Sequence, residues 1–448
     1  MKEFEQFTDP EHMRGAFERL LPGYAPGSLE INRCTLLHAR YKTWLREESR
    51  DKTFLEATYR LEAAHAVTGH RAEQILYARA YLNGRSRRVF EQAMNSRLAP
   101  VSIGAALTHL APLDMVIWSF PNDPAMQSLP EVTDRLSVKR HLPYQHLPLG
   151  FQRPDDVIVA EMKIINYRAA DRCLTSHRLN SRTLNEPQSL MLYAKTFADE
   201  RGREIADRTQ QLWEIAQREA DSFLIARPLG YAERVRTLWQ EALPGSSMAS
   251  AISQENYKDL VGRISVALAI FHRAELHSAI RLSCADHLAE VKKKTEKLIR
   301  DFPQLKESLT SLARSLEAEL PQENIQRLIH GDFHIEQLTV SDGRVALFDF
   351  DELALGDPLQ DLANFIADLS ARDTGAELAR LVAAELINAY AKQTGESIDA
   401  RRLNWHLRAQ FITRAYRSYA QRKPDLENVV RKYLALAWQK MTTGKIAA

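Results

Sequence analysis

"LIHGDFHIEQLTV" (residues 328–340) decides the reading of the whole chain. It places His330 and Asp332 after a short apolar run, and Gln337 five residues beyond Asp332. An Asp in such a loop can receive a hydroxyl proton, and an amide oxygen at that offset can hold a magnesium ion. The usual residue at the offset is Asn. Gln presents the same amide oxygen on a stem longer by a methylene group. Magnesium asks for an oxygen at about 2.1 Å in near-octahedral geometry, so the chemistry survives if the loop backs off slightly. A Leu or Lys at 337 would remove it.

Two further segments complete the chemistry. "VALFDFDE" (345–352) puts Asp349 at the end of an apolar strand, seventeen residues after Asp332. A carboxylate so placed can chelate magnesium against phosphates. Upstream, "LMLYAKTF" (190–197) carries Lys195 within a strand pattern, where a cation can orient phosphates. A base, metal ligands and a phosphate-orienting cation are the parts that phosphoryl transfer from a nucleotide requires.

The sequence "HGDFHIEQ" (330–337) resembles the HGDxHxxN loop of the aminoglycoside phosphotransferase and choline kinase-like superfamily, with Gln in place of Asn. "FDFDELALGDPLQDLA" (348–363) is similar to its second metal-binding segment, "VRTLWQEALPG" (235–245) to its hinge and "LAIFH" (268–272) to the helix that follows. The resemblance covers roughly residues 157–440. Gln337, the chain length and an added N-terminal domain resemble the maltokinase and glucosamine kinase branch, whereas "GDPLQDLA" is of aminoglycoside type.

The resemblance implies an α+β, protein-kinase-like two-lobed fold that uses ATP and Mg2+. It implies Asp332 as catalytic base, Gln337 and Asp349 as metal ligands, and Lys195 as the ATP-phosphate lysine. Glu204 would pair with that lysine, with Glu214 as rival, and Glu241 and Leu243 would be nucleotide contacts at the hinge. Asp361 would support the catalytic loop by accepting backbone N–H bonds. His330 would pack within the loop, and His334 would do the same or help to place the substrate. No glycine-rich loop precedes Lys195. The hairpin "NYRAADRCL" (166–174) stands there, and its Arg168 and Arg172 either reach the phosphates or are solvated turn residues. The absence of an APE activation segment speaks against a protein substrate.

The whole chain is consistent with this. Its 448 residues exceed one ordinary core, and its 60 basic against 58 acidic residues give no reason to expect nucleic acid or an anionic membrane as partner. Cys34, Cys173 and Cys284 lack metal-ligand spacing, which fits free thiols in a reducing compartment. "MKEFEQF" is no secretory signal and no apolar run is long enough to span a bilayer, so the expectation is a cytoplasmic protein. The oligomeric state is not legible.

Four regions are expected: an α+β cap domain over 1–140, a linker over 141–156, a kinase-like small lobe over 157–245, and a helical lobe over 246–448 with a strand-rich island near 326–350. "ILYARAYLNGRS" (75–86) echoes "MLYAKTFADERG" (191–202), and the elements around them follow in the same order. We therefore read 1–140 as a degenerate copy of the small lobe, with Arg79 where the second copy has Lys195. Arg does not reproduce Lys geometry, so the first copy is expected to shape the pocket and not to bind nucleotide.

For the acceptor, "ARRLNWHLRAQFITRAYRSYAQRK" (400–423) has seven basic residues and no acidic one. If it lines the acceptor site, a neutral or anionic acceptor is favoured over a polycation. A sugar stacked on Trp405 beside Arg408 or Arg414 is one arrangement; a core Trp and a solvated basic face are the other. The expectation is a kinase of a small-molecule hydroxyl, a sugar or sugar derivative. A catalytically weak nucleotide-binding regulator, an aminoglycoside or amino-alcohol kinase, and nucleotidyl transfer remain alternatives.

Overall fold

The computed structural model describes residues 2–24, 28–42, 53–65, 67–182, 188–219, 223–276, 280–322, 325–341, 343–372, 376–421 and 425–439. Contacts divide the chain into two compact units, the first of residues 1–203, 229–240 and 419–424, the second of 204–228, 241–418 and 425–448.

The first unit opens with helix α1 (Pro10–Leu20). Asp9 caps it by accepting from the backbone N–H groups of Glu11 and His12, and Pro10 occupies its first turn. Such a cap contributes about 1 kcal/mol. Met13, Ala16 and Phe17 form its buried face. A five-stranded sheet follows: β1 (Leu29–Lys42), β2 (Phe54–His65), β3 (Arg71–Ala80), β4 (Leu107–Leu110) and β5 (Met115–Ser119), in spatial order β1-β2-β3-β5-β4, with helix α2 (Arg85–Ala93) after β3 and a short helix α3 (Leu129–Thr133) after β5. The period-two alternation of a strand sends successive side chains to opposite faces. Leu76, Ala78 and Ala80 of β3 join the core with Phe17, Leu55, Tyr59 and Leu61. Ile75, Tyr77 and Tyr81 face the other way, into a second core with Trp118, Tyr167, Cys173 and Val235. The sheet is therefore covered on both faces.

The second core is shared with another five-stranded sheet: β6 (Val157–Arg168), β7 (Arg172–Ser181), β8 (Ser189–Phe197), then, beyond helix α4 (Arg201–Arg218) and β9 (Phe223–Ile225), β10 (Pro228–Ala232) and β11 (Thr237–Glu241). Its order is β6-β7-β8-β11-β10, the order of the first sheet. The repetition extends to irregularities. The β1–β2 ladder shifts register at Ile31/Arg33 and Leu36/His38, and the β6–β7 ladder at Val159/Glu161 and Ile164/Asn166. A tight turn ending in a left-handed residue precedes the last strand of each sheet, Asp114 (φ 44°) before β5 and Arg236 (φ 49°) before β11. Residues 141–156, expected as a linker, are irregular, with turns at Tyr144–His146 and Pro154–Asp156. They bury Leu142, Leu147 and Phe151 against Leu179, Leu192 and Trp239 of the second sheet.

The second unit is mainly helical. It contains β12 (Ser246–Ser247), α5 (Met248–Ala251), α6 (Tyr257–Arg273), β13 (Ile280–Arg281), α7 (Cys284–Asp301), α8 (Lys306–Ala318), β14 (Arg327–Ile329), β15 (Leu338–Ser341), β16 (Arg344–Leu347), β17 (Ala354–Gly356), α9 (Leu359–Ala371), α10 (Ala376–Thr394), α11 (Ala400–Ala420, its last residues in the first unit) and α12 (Leu426–Trp438). Strands β14 to β16 form the island expected near 326–350, and β16 pairs in parallel with β9. Helix α9 is nearly enclosed and buries Asp361, Asn364 and Asp368 among its apolar residues. Buried polar groups at that density require partners: Asp361 and Asn364 find theirs partly in the loop that precedes β15, and Asp368 finds its own in Arg372 and Arg414. The fold is thus α+β, as expected. Among the described residues no helix is long and apolar enough to cross a membrane. Cys34 and Cys173 are buried free thiols, and Cys284 is half-buried and free.

Candidate active site

Strand β14 delivers the loop 330–337 from a buried pair, Leu328 and Ile329. Asp361, in the first turn of α9, is fully enclosed. Its carboxylate accepts from the backbone N–H of His330 (2.6 Å) and of Gly331 (3.0 Å). His272 Nε2 lies 3.2 Å from the same carboxylate, and its Nδ1 is 2.7 Å from Tyr390 Oη. A buried carboxylate is tolerated because these donors replace water, and removing it would strand them. His330 in turn places Nε2 2.8 Å from the carbonyl of Phe348, which ties the loop to the end of β16. The rings of Phe271, Phe333 and Phe350 pack around its imidazole. Gly331 has φ +82°, and a Cβ there would collide with the backbone oxygen of Glu352. Only glycine fits.

This scaffold brings Asp332, His334, Gln337 and Asp349 together. Gln337 Nε2 is 3.3 Å from Asp349 Oδ2 and 3.2 Å from His334 Nε2, and His334 Nε2 is 3.7 Å from Asp332 Oδ2. Burial lowers the His334 pKa, against the pull of Asp332, so its imidazole is neutral at neutral pH. Asp349 sits in the left-handed region (φ 61°, ψ 67°), which costs a non-glycine residue roughly 1–3 kcal/mol. Strain of that kind persists where the surroundings aim a side chain.

The donor set fits a magnesium ion. Adjacent ligands of an octahedral ion at about 2.1 Å lie about 3.0 Å apart, close to the 3.3 Å between the Gln337 amide and the Asp349 carboxylate. A half-turn of the Gln337 amide exchanges its nitrogen for its oxygen.

Asp332 has a second set of neighbours that the sequence reading missed. Asn364 Nδ2 is 3.4 Å and Arg417 Nη2 3.3 Å from its Oδ1. The Asn364 amide is oriented from behind: Arg414 Nη2 donates to Asn364 Oδ1 (2.8 Å), so the NH2 group faces Asp332. Arg414 is itself held by Asp368 (2.9 Å). Although burial raises Asp368, Arg414 and Arg372 hold it below the ordinary carboxylate pKa. Asn364 follows Asp361 by three residues, one helical turn, so it shares the loop-facing side of α9.

Three candidate acceptor ligands do not have that role. Trp405 is fully buried and donates its indole N–H to the Leu316 carbonyl (2.8 Å), so it is core and no sugar platform. Arg408 is engaged by Ser315 of α8 and by Glu319 just after it. Arg414 is consumed by Asp368 and Asn364, with its side chain 10% exposed. Arg422 and Lys423 lie outside the described residues.

The remaining candidates sit as follows. Lys195 belongs to the first unit, half-buried on β8, opposite Leu174 of β7 and over the ring of Phe197. Glu204 projects into solvent and pairs with Arg208 (3.1 Å), while Glu214 accepts from Gln210. Glu241 lies 3.2 Å from Arg227 Nη1, and its backbone N–H donates to the Arg227 carbonyl; Leu243 is half-buried. The 168–172 turn is fastened to the first sheet's side of its unit. Buried Asp123 accepts from Tyr167 Oη and from the backbone N–H of Ala170, both at 2.8 Å.

Solved structures similar to this chain include an ADP-bound aminoglycoside phosphotransferase (16% identity, 62% of this chain and 93% of that one, TM-score 0.42). A choline kinase from Streptococcus pneumoniae matches at 13% identity over 62% of this chain and 92% of that one, TM-score 0.41. A choline/ethanolamine kinase family protein from Mesorhizobium loti matches at 13% identity over 69% and 96%, TM-score 0.43. No curated protein matches the chain in sequence. Residues 190–395 match the model of the phosphotransferase enzyme family.

Proposed function

We propose that this protein is an ATP- and Mg2+-dependent kinase of a hydroxyl group on a small molecule, a sugar or sugar derivative. The observation that carries the reading is the convergence of Asp332 and Gln337, in a loop fastened through Asp361 and His330, with Asp349 just beyond β16. Asp332 takes the proton of the acceptor hydroxyl while the oxygen–phosphorus bond forms and the bond to ADP breaks. Asn364, held by Arg414, keeps the base in place. Gln337 and Asp349 hold magnesium, which neutralises charge on the phosphates. Lys195 orients the phosphates, and the 168–172 turn covers them where other kinases use a glycine-rich loop. Residues 1–140 form a cap domain without a nucleotide site of its own.

The test is a panel of polyol, sugar, sugar-acid and amino-sugar acceptors incubated with ATP and Mg2+, read by product mass. The expected product is heavier by one phosphoryl group. A nucleotidyl-sized increment would move the assignment to nucleotidyl transfer, and thermal stabilisation by ATP with no transfer to any acceptor would move it to a nucleotide-binding regulator.

A further inference from the structure

The residue of α11 that contacts the proposed base is a cation. Arg417 Nη2 lies 3.3 Å from Asp332 Oδ1, and among the described residues this is its one ion pair. Its side chain is 47% exposed, against 26% for Asp332, so the pair faces solvent at the point where a hydroxyl must arrive. A guanidinium offers five N–H donors in a planar fork suited to oxyanions, and this contact uses one.

Its neighbours add to the positive charge. Arg414, one turn earlier, is committed to Asp368 and Asn364. Lys294 of α7 donates to Thr413 Oγ1, and Lys297 to Tyr416 Oη. Burial lowers the Lys294 pKa, with Arg417 adding to the effect and Glu290 and Glu352 opposing it. Of the carboxylates around these cations, Asp368 is held by Arg414 and Arg372, Glu290 by Lys293, and Glu352 acts on Lys294. A cationic acceptor would meet Arg417 at like charge while approaching Asp332.

Resting on the kinase reading above, we propose that the acceptor carries an oxyanion, a carboxylate or a phosphate, close to the hydroxyl that is phosphorylated, and that Arg417 receives it. In the free enzyme Arg417 pairs with Asp332. When the acceptor binds, its oxyanion takes over the guanidinium, and Asp332 is left to accept the hydroxyl proton. The pairing thereby couples recognition of the anion to release of the base.

Matched acceptors sharing one carbon framework test this: glucose, gluconate, glucose 6-phosphate and glucosamine, and the shorter pair glycerol and glycerate. Steady-state kinetics are measured with ATP and Mg2+ on the full chain and on Arg417→Ala and Arg417→Lys. The expected result is a kcat/KM for an anionic member at least tenfold above that of its neutral parent, with the amino sugar lowest. Arg417→Ala should raise KM for the anionic acceptor at least tenfold and abolish the preference, and Arg417→Lys should restore part of it. Preference for gluconate or for glucose 6-phosphate identifies which oxyanion fits. A preference for neutral or amino acceptors overturns the proposal, as does an Arg417→Ala variant that lowers kcat equally for every acceptor, which would make Arg417 a positioning residue for Asp332. If none of the acceptors is phosphorylated although ATP binds, the kinase reading itself falls and this proposal with it.

Discussion

The two five-stranded sheets of the first unit share a strand order, the same bulge positions and the same left-handed turn, yet the cation on the third strand of each faces a different residue across the ladder. Arg79 of β3 is walled in. Its guanidinium is bonded to Tyr77 Oη, lies 3.3 Å from the buried Glu56 carboxylate, and is covered by the rings of Phe54, Tyr77 and Trp118. Glu56 also faces Lys42 at 3.7 Å. The cation is spent on internal charge balance. Lys195 of β8 stands opposite the apolar Leu174 of β7 and over the ring of Phe197. One strand order can thus recur with the residue across from its third-strand cation changed from a carboxylate to an apolar side chain.

Several substitutions probe this contrast. Lys195→Met should lower kcat/KM by roughly a hundredfold or more, because the phosphates lose their orienting charge, while Tm stays near that of the parent. Arg79→Met should do the reverse. Removing one partner of a buried ion pair costs about 3–5 kcal/mol; Lys42 and Tyr77 still serve Glu56, so about 2–3 kcal/mol in urea unfolding is expected here, with activity largely kept at low temperature. If Arg79→Met abolished transfer while leaving stability intact, the two sheets would not differ as described.

Asp123→Ala examines the tie between them. It leaves the Tyr167 hydroxyl and the Ala170 and Ala125 N–H groups without their acceptor, at about 1–3 kcal/mol for each buried donor that finds no other partner. With the turn loosened, KM for ATP should rise several-fold with a smaller change in kcat. An unchanged KM would remove the turn from the nucleotide site.

A smaller effect is pH dependence of the second sheet. Burial lowers His177 to about 4 in the folded chain, beside Trp239 and Thr175. The folded state holds the neutral imidazole, and the unfolded chain protonates near 6.5, so the unfolded state binds more protons below that pH. Stability is complete above pH 6.5 and falls as pH drops towards 4, by up to about 3 kcal/mol from this group. His177→Gln should flatten that part of the stability–pH curve measured by urea unfolding. A curve unchanged by the substitution would assign the acid sensitivity elsewhere.

The grouping of Asp332, Gln337 and Asp349 was legible because it is local: their spacings follow from one hairpin, and Asp361 stands at the start of the next helix. The repeated strand order was legible for a similar reason, since period-two patterns and the "LYA"-basic motif occur in both sheets. The orientation of helix α11 was not. Helix α11 buries polar His406, Gln410, Arg414 and Ser418 along with Trp405 and Phe411, so it has no clean apolar stripe to say which face turns inward. Arg414 and Arg417 read alike in sequence, and only the carboxylates of α9 and the loop separate them. Glu204 matched a pattern, but its neighbour Arg208 one turn on claims it.

The central claim is that loop 330–337 with Gln337 is a working phosphoryl-transfer site. Its most direct test is transfer from ATP to an acceptor, read by product mass, for the parent chain, Asp332→Ala, Gln337→Asn and Gln337→Leu under the same Mg2+ concentration. The account predicts phosphorylated product from the parent, much of that activity in Gln337→Asn, and none in Gln337→Leu or Asp332→Ala. Undiminished transfer by Gln337→Leu or Asp332→Ala would contradict it.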